Sequence, residues 1–145
     1  MPRGSFSDSG VPNPYKRFRA MSYSHDWWVR GGHGDAAFLK VVEALDARVA
    51  GVVGHGFRTT PCYRATALES ELGEDVWVKD ETGQVGDSHK ARHLMGIALD
   101  LELRKRANQP VPTGPLAIAS CGNAALAAAV VARAWDREIR VFIPT

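Results

Sequence analysis

A strand, a helix and a second strand follow one another in residues 116–143, and this order constrains the fold more than any other feature of the chain. Leu116–Ala119 and residues 139–143 are short apolar runs typical of buried strands, and the alanine-rich residues 123–135 between them are typical of a helix. Two strands joined by a helix lie parallel in one sheet, with a right-handed crossover. Because such a sheet needs helices on both faces, the sequence predicts an α/β fold.

Two longer helices are predicted upstream of this unit. Residues 36–49 carry apolar side chains on one stripe, with Asp35 as the expected N-cap and Gly51 as the expected end. The second helix is predicted to begin near Ser88 and to end with the basic residues 104–106, which suit a helix C-terminus.

Shorter elements are predicted before the second helix. Thr66–Leu72 should form a short helix ended by Gly73, and residues 76–79 should form a compact strand. Residues 1–34 contain prolines and glycines that interrupt any period, so they are expected to be irregular. Within them, residues 13–19 mix aromatic and cationic side chains, and we expect an extended segment on the core rather than a nucleic-acid arm.

The charge balance and the apolar stretches exclude several classes of partner. The net charge is +2, from 18 basic and 16 acidic residues, which is too small an excess to indicate a nucleic acid or an anionic membrane as partner. The longest apolar stretch, residues 124–132, is far shorter than the ~20 residues of a membrane span. With no secretory leader evident, Cys62 and Cys121 are expected to be reduced thiols in the cytoplasm.

The segment around Lys90 is the first candidate for chemistry. Residues 79–92 run from a strand through a glycine-containing loop to a lysine in the first turn of a helix. The positive end of the helix dipole disfavours an ammonium group there, and a neutral amine can attack an aldehyde, as a Schiff-base lysine must. The alternative is an ordinary solvated surface lysine.

The segment Ser120-Cys121-Gly122-Asn123-Ala124 is the second candidate. It joins a strand to a helix, and Gly122 allows a close turn of the backbone. Free N–H groups at the helix start can bind a carboxylate or a phosphate. The alternative is a helix cap made by Ser120 and Asn123.

Together the two segments resemble the fold type II, tryptophan synthase β-like family of pyridoxal-phosphate enzymes. The family's K-x-E motif resembles Lys79-Asp80-Glu81, and its S-F-K-x-R motif resembles Ser88-His89-Lys90-Ala91-Arg92. Its S-x-G-N-x loop resembles Ser120-Cys121-Gly122-Asn123-Ala124. Thr60-Pro61 with Leu68, Leu72-Gly73 and residues 141–144 also fit. The chain is most similar to threonine/serine dehydratases, threonine synthases and diaminopropionate ammonia-lyases. The resemblance implies a three-layer α/β fold with a mostly parallel sheet.

The resemblance also implies roles for individual residues. Lys90 would hold pyridoxal 5'-phosphate covalently and act as base at the substrate Cα, and Ser88 would be a further cofactor-binding residue. Asn123 would hydrogen-bond the phenolic oxygen of the cofactor, and Ser120 with the N–H groups of Gly122, Asn123 and Ala124 would bind the substrate carboxylate. Cys121 occupies the position where serine racemases carry a serine; it would exchange protons or serve as a small buried packing residue.

Some features of the family pattern differ or are missing. His89 replaces the usual phenylalanine and Asp87 a frequent glycine. The glycine-rich phosphate loop and the polar residue facing the pyridine nitrogen do not occur in the sequence. We therefore expect an N-terminal piece of a longer enzyme, in which residues 1–80 belong to the large domain and residues 81–145 form most of the small domain.

The resemblance implies β-elimination of water or ammonia from a small hydroxy- or amino-substituted amino acid, by an enzyme that is a homodimer at full length. Catalysis is not expected of the 145-residue piece alone. The alternatives are β- or γ-replacement, as in cysteine or threonine synthase, and an inactive fragment or binding module. A zinc site at His89 and His93, which are four residues apart, lacks an obvious third ligand. A nicotinamide site is disfavoured because the turn after Ala119 lacks a G-x-G-x-x-G spacing.

Overall fold

The computed structural model describes residues 10–144. Helices and strands alternate along the chain, as in an α/β protein. In chain order the elements are α1 (Pro14–Arg17), a 3-10 turn (Arg19–Met21), α2 (Tyr23–Arg30), α3 (Asp35–Val53), β1 (Cys62–Arg64), α4 (Thr66–Leu72), β2 (Trp77–Lys79), a second 3-10 turn (Val85–Asp87), α5 (Lys90–Arg106), β3 (Leu116–Ala119), α6 (Asn123–Ala134) and β4 (Ile139–Phe142).

The described strands form two small sheets. β3 and β4 are parallel, with Leu116 opposite Ile139 and Ala119 opposite Phe142, so the predicted parallel strand–helix–strand unit is confirmed. β2 pairs antiparallel with β1, a strand that the sequence did not predict. Residues 10–144 therefore hold two separate strand pairs rather than one mostly parallel sheet.

The strands of the parallel pair are less buried than predicted. Side chains of β3 alternate between half-buried and exposed, and most of β4 is exposed, including Phe142 at 59%. Helix α6 packs against both strands, and the side chains that point away from it remain exposed in the described residues. The prediction that both strands are buried is therefore wrong for this part of the chain.

The core lies between α3, α5 and α6. Each helix buries one apolar face, as the sequence predicted for α3 and α5. The buried side chains are Phe38, Val41, Val42, Leu45 and Val49 of α3, Ala91, Met95, Ala98, Leu99 and Leu103 of α5, and Ala127, Val130, Val131 and Ala134 of α6. Among the described residues no helix is both long and apolar enough to cross a membrane.

Helix α3 is longer than predicted at its C-terminal end. It continues through Gly51 to Val53, and Gly54 ends it in the left-handed conformation, with φ +86°. At the other end Gly34 is the N-cap, whereas Asp35 is the first helical residue. The carboxylate of Asp35 instead accepts hydrogen bonds from Arg19 and contacts His25. Gly54 ends the helix because glycine adopts a positive φ without steric cost.

The predicted irregular structure for residues 1–34 is wrong where residues are described, and residues 1–9 lie outside the described part of the chain. Two helices, α1 and α2, occupy much of this segment. Asn13 caps α1, because its side-chain oxygen accepts hydrogen bonds from the N–H groups of Tyr15 and Lys16. Pro14 fits the first helical position, where no N–H is needed. The segment lies on the core, as expected, but as helices.

The packing of α5 predicts different costs for two neighbouring substitutions. Leu99 is 2% exposed and Ile97 is 43% exposed. We expect Leu99→Ala to lower the free energy of unfolding by about 2–5 kcal/mol, because it leaves a cavity. Ile97→Ala should cost about 1 kcal/mol or less. Urea unfolding of both variants checks this; equal losses would contradict the assignment of the buried face.

Candidate functional site

Lys90 is the first residue of α5 and its side chain is exposed. The helix starts two residues later than predicted, because residues 85–87 form a separate 3-10 turn. The backbone N–H of Lys90 donates to the Ser88 hydroxyl over 3.4 Å, and Ser88 itself is 8% exposed. The predicted position of the lysine, in the first turn of a helix after a glycine-containing loop, is thus present in the structure.

The loop between β2 and α5 is fixed by buried groups. Gln84 is fully buried; its amide N–H donates to the carbonyl of Arg58 over 2.7 Å, and its side-chain oxygen accepts from the N–H of Val85. Gly86 adopts a φ of +67°, and a Cβ added to it would lie 3.7 Å from the Cα of Ala127 in α6. The loop that leads to Lys90 is therefore in contact with the helix that follows the Ser120 turn.

Arg92, two residues after Lys90, is the centre of a polar cluster. Its guanidinium donates to both carboxylate oxygens of Glu81, over 2.7 and 3.1 Å, and to the Thr60 hydroxyl over 3.1 Å. Thr60 also donates to Glu81 over 2.5 Å. The ammonium of Lys79 lies 3.6 Å from Glu81 and donates to the Thr60 hydroxyl. We call Lys79, Glu81, Thr60 and Arg92 the Arg92 cluster.

The cluster holds Glu81 in its ionised form. The hydrogen bonds from Arg92, together with that from Thr60 and the nearby charges, lower the pKa of Glu81 to about 2, although burial opposes the shift. The carboxylate side chain is 15% exposed, so the pair with Arg92 is partly shielded from water. Glu81, in the loop between β2 and α5, is thus an anion over the ordinary pH range and pairs with Arg92 in the first turn of α5.

Tyr15 of α1 connects the N-terminal segment to Arg92. Its hydroxyl donates to the backbone carbonyl of Arg92 over 2.5 Å, and its ring meets Phe57 edge-to-face at 5.2 Å. Burial raises the pKa of the Tyr15 phenol, so the group stays protonated and remains a donor.

The turn at Ser120 is open to solvent. Ser120 continues the parallel ladder, since its N–H donates to the carbonyl of Phe142, and its hydroxyl accepts from the N–H of Gly122 over 3.3 Å. Cys121, Gly122 and Asn123 are exposed, and a Cβ built on Gly122 would meet no atom within 4 Å. The interpretation of Cys121 as a buried packing residue is therefore wrong for the described chain, because its thiol lies on the open side of the turn.

Lys90 and the Ser120 turn lie on neighbouring elements. Leu94 and Ile97, one and two turns after Lys90 on the same helical face, line a cleft together with Leu116 and Ile118 of β3. β3 leads directly into Ser120. No hydrogen bond or ion pair joins Lys90 to Ser120, Asn123 or Ala124 within residues 10–144. The two segments are brought together by the packing of α5 against α6 and by the close approach of Gly86 to Ala127.

Several residues of this region were not predicted to have a role. Thr60, Glu81 and Arg92 occur in the motifs that carry the family resemblance, but their mutual contacts bridge 11 to 32 positions in the sequence. Tyr15 is 77 positions from its partner. The spacing of K-x-E and K-x-R was a signal for Glu81 and Arg92, whereas nothing local indicated Tyr15. In the part of the chain that the structure describes, no three His, Cys, Asp or Glu residues are grouped to hold a metal ion.

A comparison with protein families gives one match. The family model described as pyridoxal-phosphate dependent enzyme matches residues 53–145, which include Lys90, the Arg92 cluster and the Ser120 turn. Neither the curated proteins nor the solved structures include a match to the chain.

The pKa of Glu81 predicts how acid affects the stability of the chain. The pKa of this carboxyl falls from 4.5 to about 2 on folding. The carboxyl therefore stabilises the folded state fully above pH 4.5, and this contribution is lost as the pH falls towards 2. We expect the difference in the free energy of unfolding between the wild type and Glu81→Gln to be largest above pH 4.5. This difference should shrink as the pH falls towards 2. Urea midpoints measured across this range check it.

The control for this measurement is Glu71→Gln, which makes the same change at an exposed residue of α4. A difference for Glu81→Gln that stays constant as the pH falls would contradict the assignment of the shift to the Arg92 cluster.

Proposed function

The chain belongs to the family of pyridoxal-phosphate dependent enzymes, and from this membership we propose that Lys90 holds the cofactor covalently and that the activity is that of an amino-acid lyase. The family implies the tryptophan synthase β-like fold. The observation that carries the proposal is that the matched region includes a lysine in the first turn of α5, with an open Ser120 turn at the start of the adjacent α6.

The residues present fit the cofactor. Lys90 is exposed, so its amine is accessible. The turn is open at Gly122, since a Cβ built on this residue would meet no atom within 4 Å. Asn123 is exposed at the first position of α6, so its amide is available for a hydrogen bond to the cofactor. Pyridoxal phosphate, when bound, draws off the electron pair of the substrate Cα, and the protein then supplies position and proton transfer.

The chain's own groups account for the remaining steps of a β-elimination. Once displaced from the cofactor by the amino group of the substrate, the amine of Lys90 would accept the proton from the substrate Cα. The resulting ammonium would give that proton to the β-hydroxyl or β-amino group, which would leave as water or ammonia. Ser120 and the N–H groups of Gly122, Asn123 and Ala124 bind the α-carboxylate. The first N–H groups of a helix have no acceptor within the helix, and the N–H of Gly122 would exchange the Ser120 hydroxyl for the carboxylate. Cys121, exposed beside Ser120, is proposed as a second proton-exchanging group.

The resemblance alone supports three further proposals: a small hydroxy- or amino-substituted amino acid as substrate, a homodimer as the assembly, and the cytoplasm as location. Residues 81–145 are proposed to form most of the small domain of the family fold. Replacement chemistry, as in cysteine or threonine synthase, is the competing activity.

Covalent attachment at Lys90 tests the cofactor role. We expect the full-length protein mixed with pyridoxal phosphate to develop a visible absorbance band that Lys90→Ala abolishes, because the exposed amine of Lys90 is the proposed attachment point. Borohydride reduction followed by peptide mass spectrometry should locate the label at Lys90. Exposed Lys40→Ala is the matched control and should keep the band. A wild type without a band would refute the proposed function.

Product analysis separates the two activities. With L-serine or L-threonine the lyase proposal predicts a 2-oxo acid and ammonia, whereas a replacement enzyme requires an added nucleophile such as sulfide to turn over an activated serine. Turnover only in the presence of the nucleophile would overturn the lyase assignment.

Ser120→Ala tests the carboxylate site. Loss of a hydrogen bond to a charged group costs about 1.5–3 kcal/mol, so we expect KM for the amino acid to rise about tenfold or more. Attachment of the cofactor at Lys90 should be unchanged. Ser70→Ala, at an exposed serine of α4, is the matched control and should leave KM as it is. An unchanged KM in Ser120→Ala would remove Ser120 from the site.

A further inference from the structure

We propose that Glu81, through its ion pair with Arg92, is a positioning residue that fixes the rotation of the first turn of α5 and so directs Lys90 towards the cleft beside β3. This inference rests on the proposed function, because it assigns Glu81 and Arg92 to the placement of the cofactor lysine. Glu81 and Arg92 act through Lys90 and have no contact with the cofactor in this proposal.

Arg92 is held by three separate parts of the chain. Glu81 follows β2 and accepts two hydrogen bonds from the guanidinium. Thr60 and the carbonyl of Arg58, both before β1, accept further hydrogen bonds from it over 3.1 and 3.3 Å. Tyr15 of α1 donates to the Arg92 carbonyl. With its backbone and its side chain both held, Arg92 has little freedom to move around the helix axis.

Helix geometry converts this restraint into a direction for Lys90. Successive residues are rotated by about 100°, so the side chains of Lys90 and Arg92 are about 200° apart and lie on nearly opposite sides of α5. When the side of α5 that carries Arg92 faces Glu81, Lys90 therefore lies on the opposite side of the helix. Leu94 and Ile97 lie on that same side. These two residues line the cleft with β3, the strand that ends at Ser120.

The apolar core alone leaves this first turn weakly fixed. Ala91 is fully buried but offers only a methyl group, and the first large buried side chain of α5 is Met95, more than a turn later. First turns of helices also lack part of the intrahelical hydrogen bonding. The Arg92 cluster therefore restrains the first turn of α5, where the apolar core provides the least packing.

The experiment compares two equally exposed glutamates that each pair with an arginine of α5. Glu81 and Glu102 are each 15% exposed and each accepts a hydrogen bond from an arginine of α5, Arg92 and Arg106 respectively. The chain carrying Glu81→Gln or Glu102→Gln is incubated with pyridoxal phosphate and reduced with borohydride, and mass spectrometry gives the ratio of label on Lys90 to label on Lys40. Thermal unfolding records whether each variant is folded.

The inference predicts a selective loss at Lys90. We expect Glu81→Gln to lower the Lys90-to-Lys40 ratio about tenfold, since a small misplacement of a reacting group costs up to ~10²-fold, and Glu102→Gln to stay within about twofold of the wild type. Arg92→Lys should give an intermediate ratio, because lysine keeps the charge but not the planar fork. A folded Glu81→Gln variant with the wild-type ratio would overturn the inference.

The controls separate this inference from the proposed function. A wild type that labels Lys90 no more than Lys40 refutes the proposed function, whereas a wild-type preference that persists in Glu81→Gln refutes only the positioning role. Should Glu81→Gln fail to fold, Glu81→Asp keeps the charge but shortens the side chain and so weakens its two hydrogen bonds from Arg92. The same ratio then decides: a fall supports the positioning role, and an unchanged ratio overturns it.

Discussion

The packing of α5 against α3 and α6 is the interaction on which the rest of the described structure depends. Its buried face, from Ala91 to Leu103, contributes to the core shared by the three helices, and most of that face is less than 3% exposed. The same helix begins with Lys90. Stability and the candidate site thus share one element, because apolar burial fixes the body of the helix while its exposed first residue stays available for chemistry.

Polar contacts hold the start of α5, where few large apolar side chains are buried. The start of a helix exposes unsatisfied N–H groups and carries few large apolar side chains here, so a charged residue with several partners is an effective anchor there. Arg92 has such partners in Glu81 and Thr60, and its carbonyl accepts from Tyr15. Helix α1, which has no motif of its own, thereby becomes part of the support for Arg92, two residues after Lys90.

Different elements were predictable to different degrees. The stripes of α3 and α5 and the parallel pairing of β3 with β4 followed from periodicity and chain order, because both are repeated over many residues. β1 was not predicted, since three exposed residues acquire strand character only by pairing with β2. Prolines and glycines within residues 1–34 predict interruptions, yet Asn13 and Pro14 together start α1, and α2 fits between Pro14 and Gly31.

The sequence by itself determined the family resemblance, the place of Lys90 after a glycine-containing loop and the strand-to-helix turn at Ser120, because each depends on residues close together in the chain. Only the tertiary structure decided which residues support them. Glu81, Thr60, Arg92 and Tyr15 meet from four segments, and the contact of Gly86 with Ala127 joins the two candidate halves. Contacts between distant segments depend on how helices and loops pack in space, which local spacing does not encode.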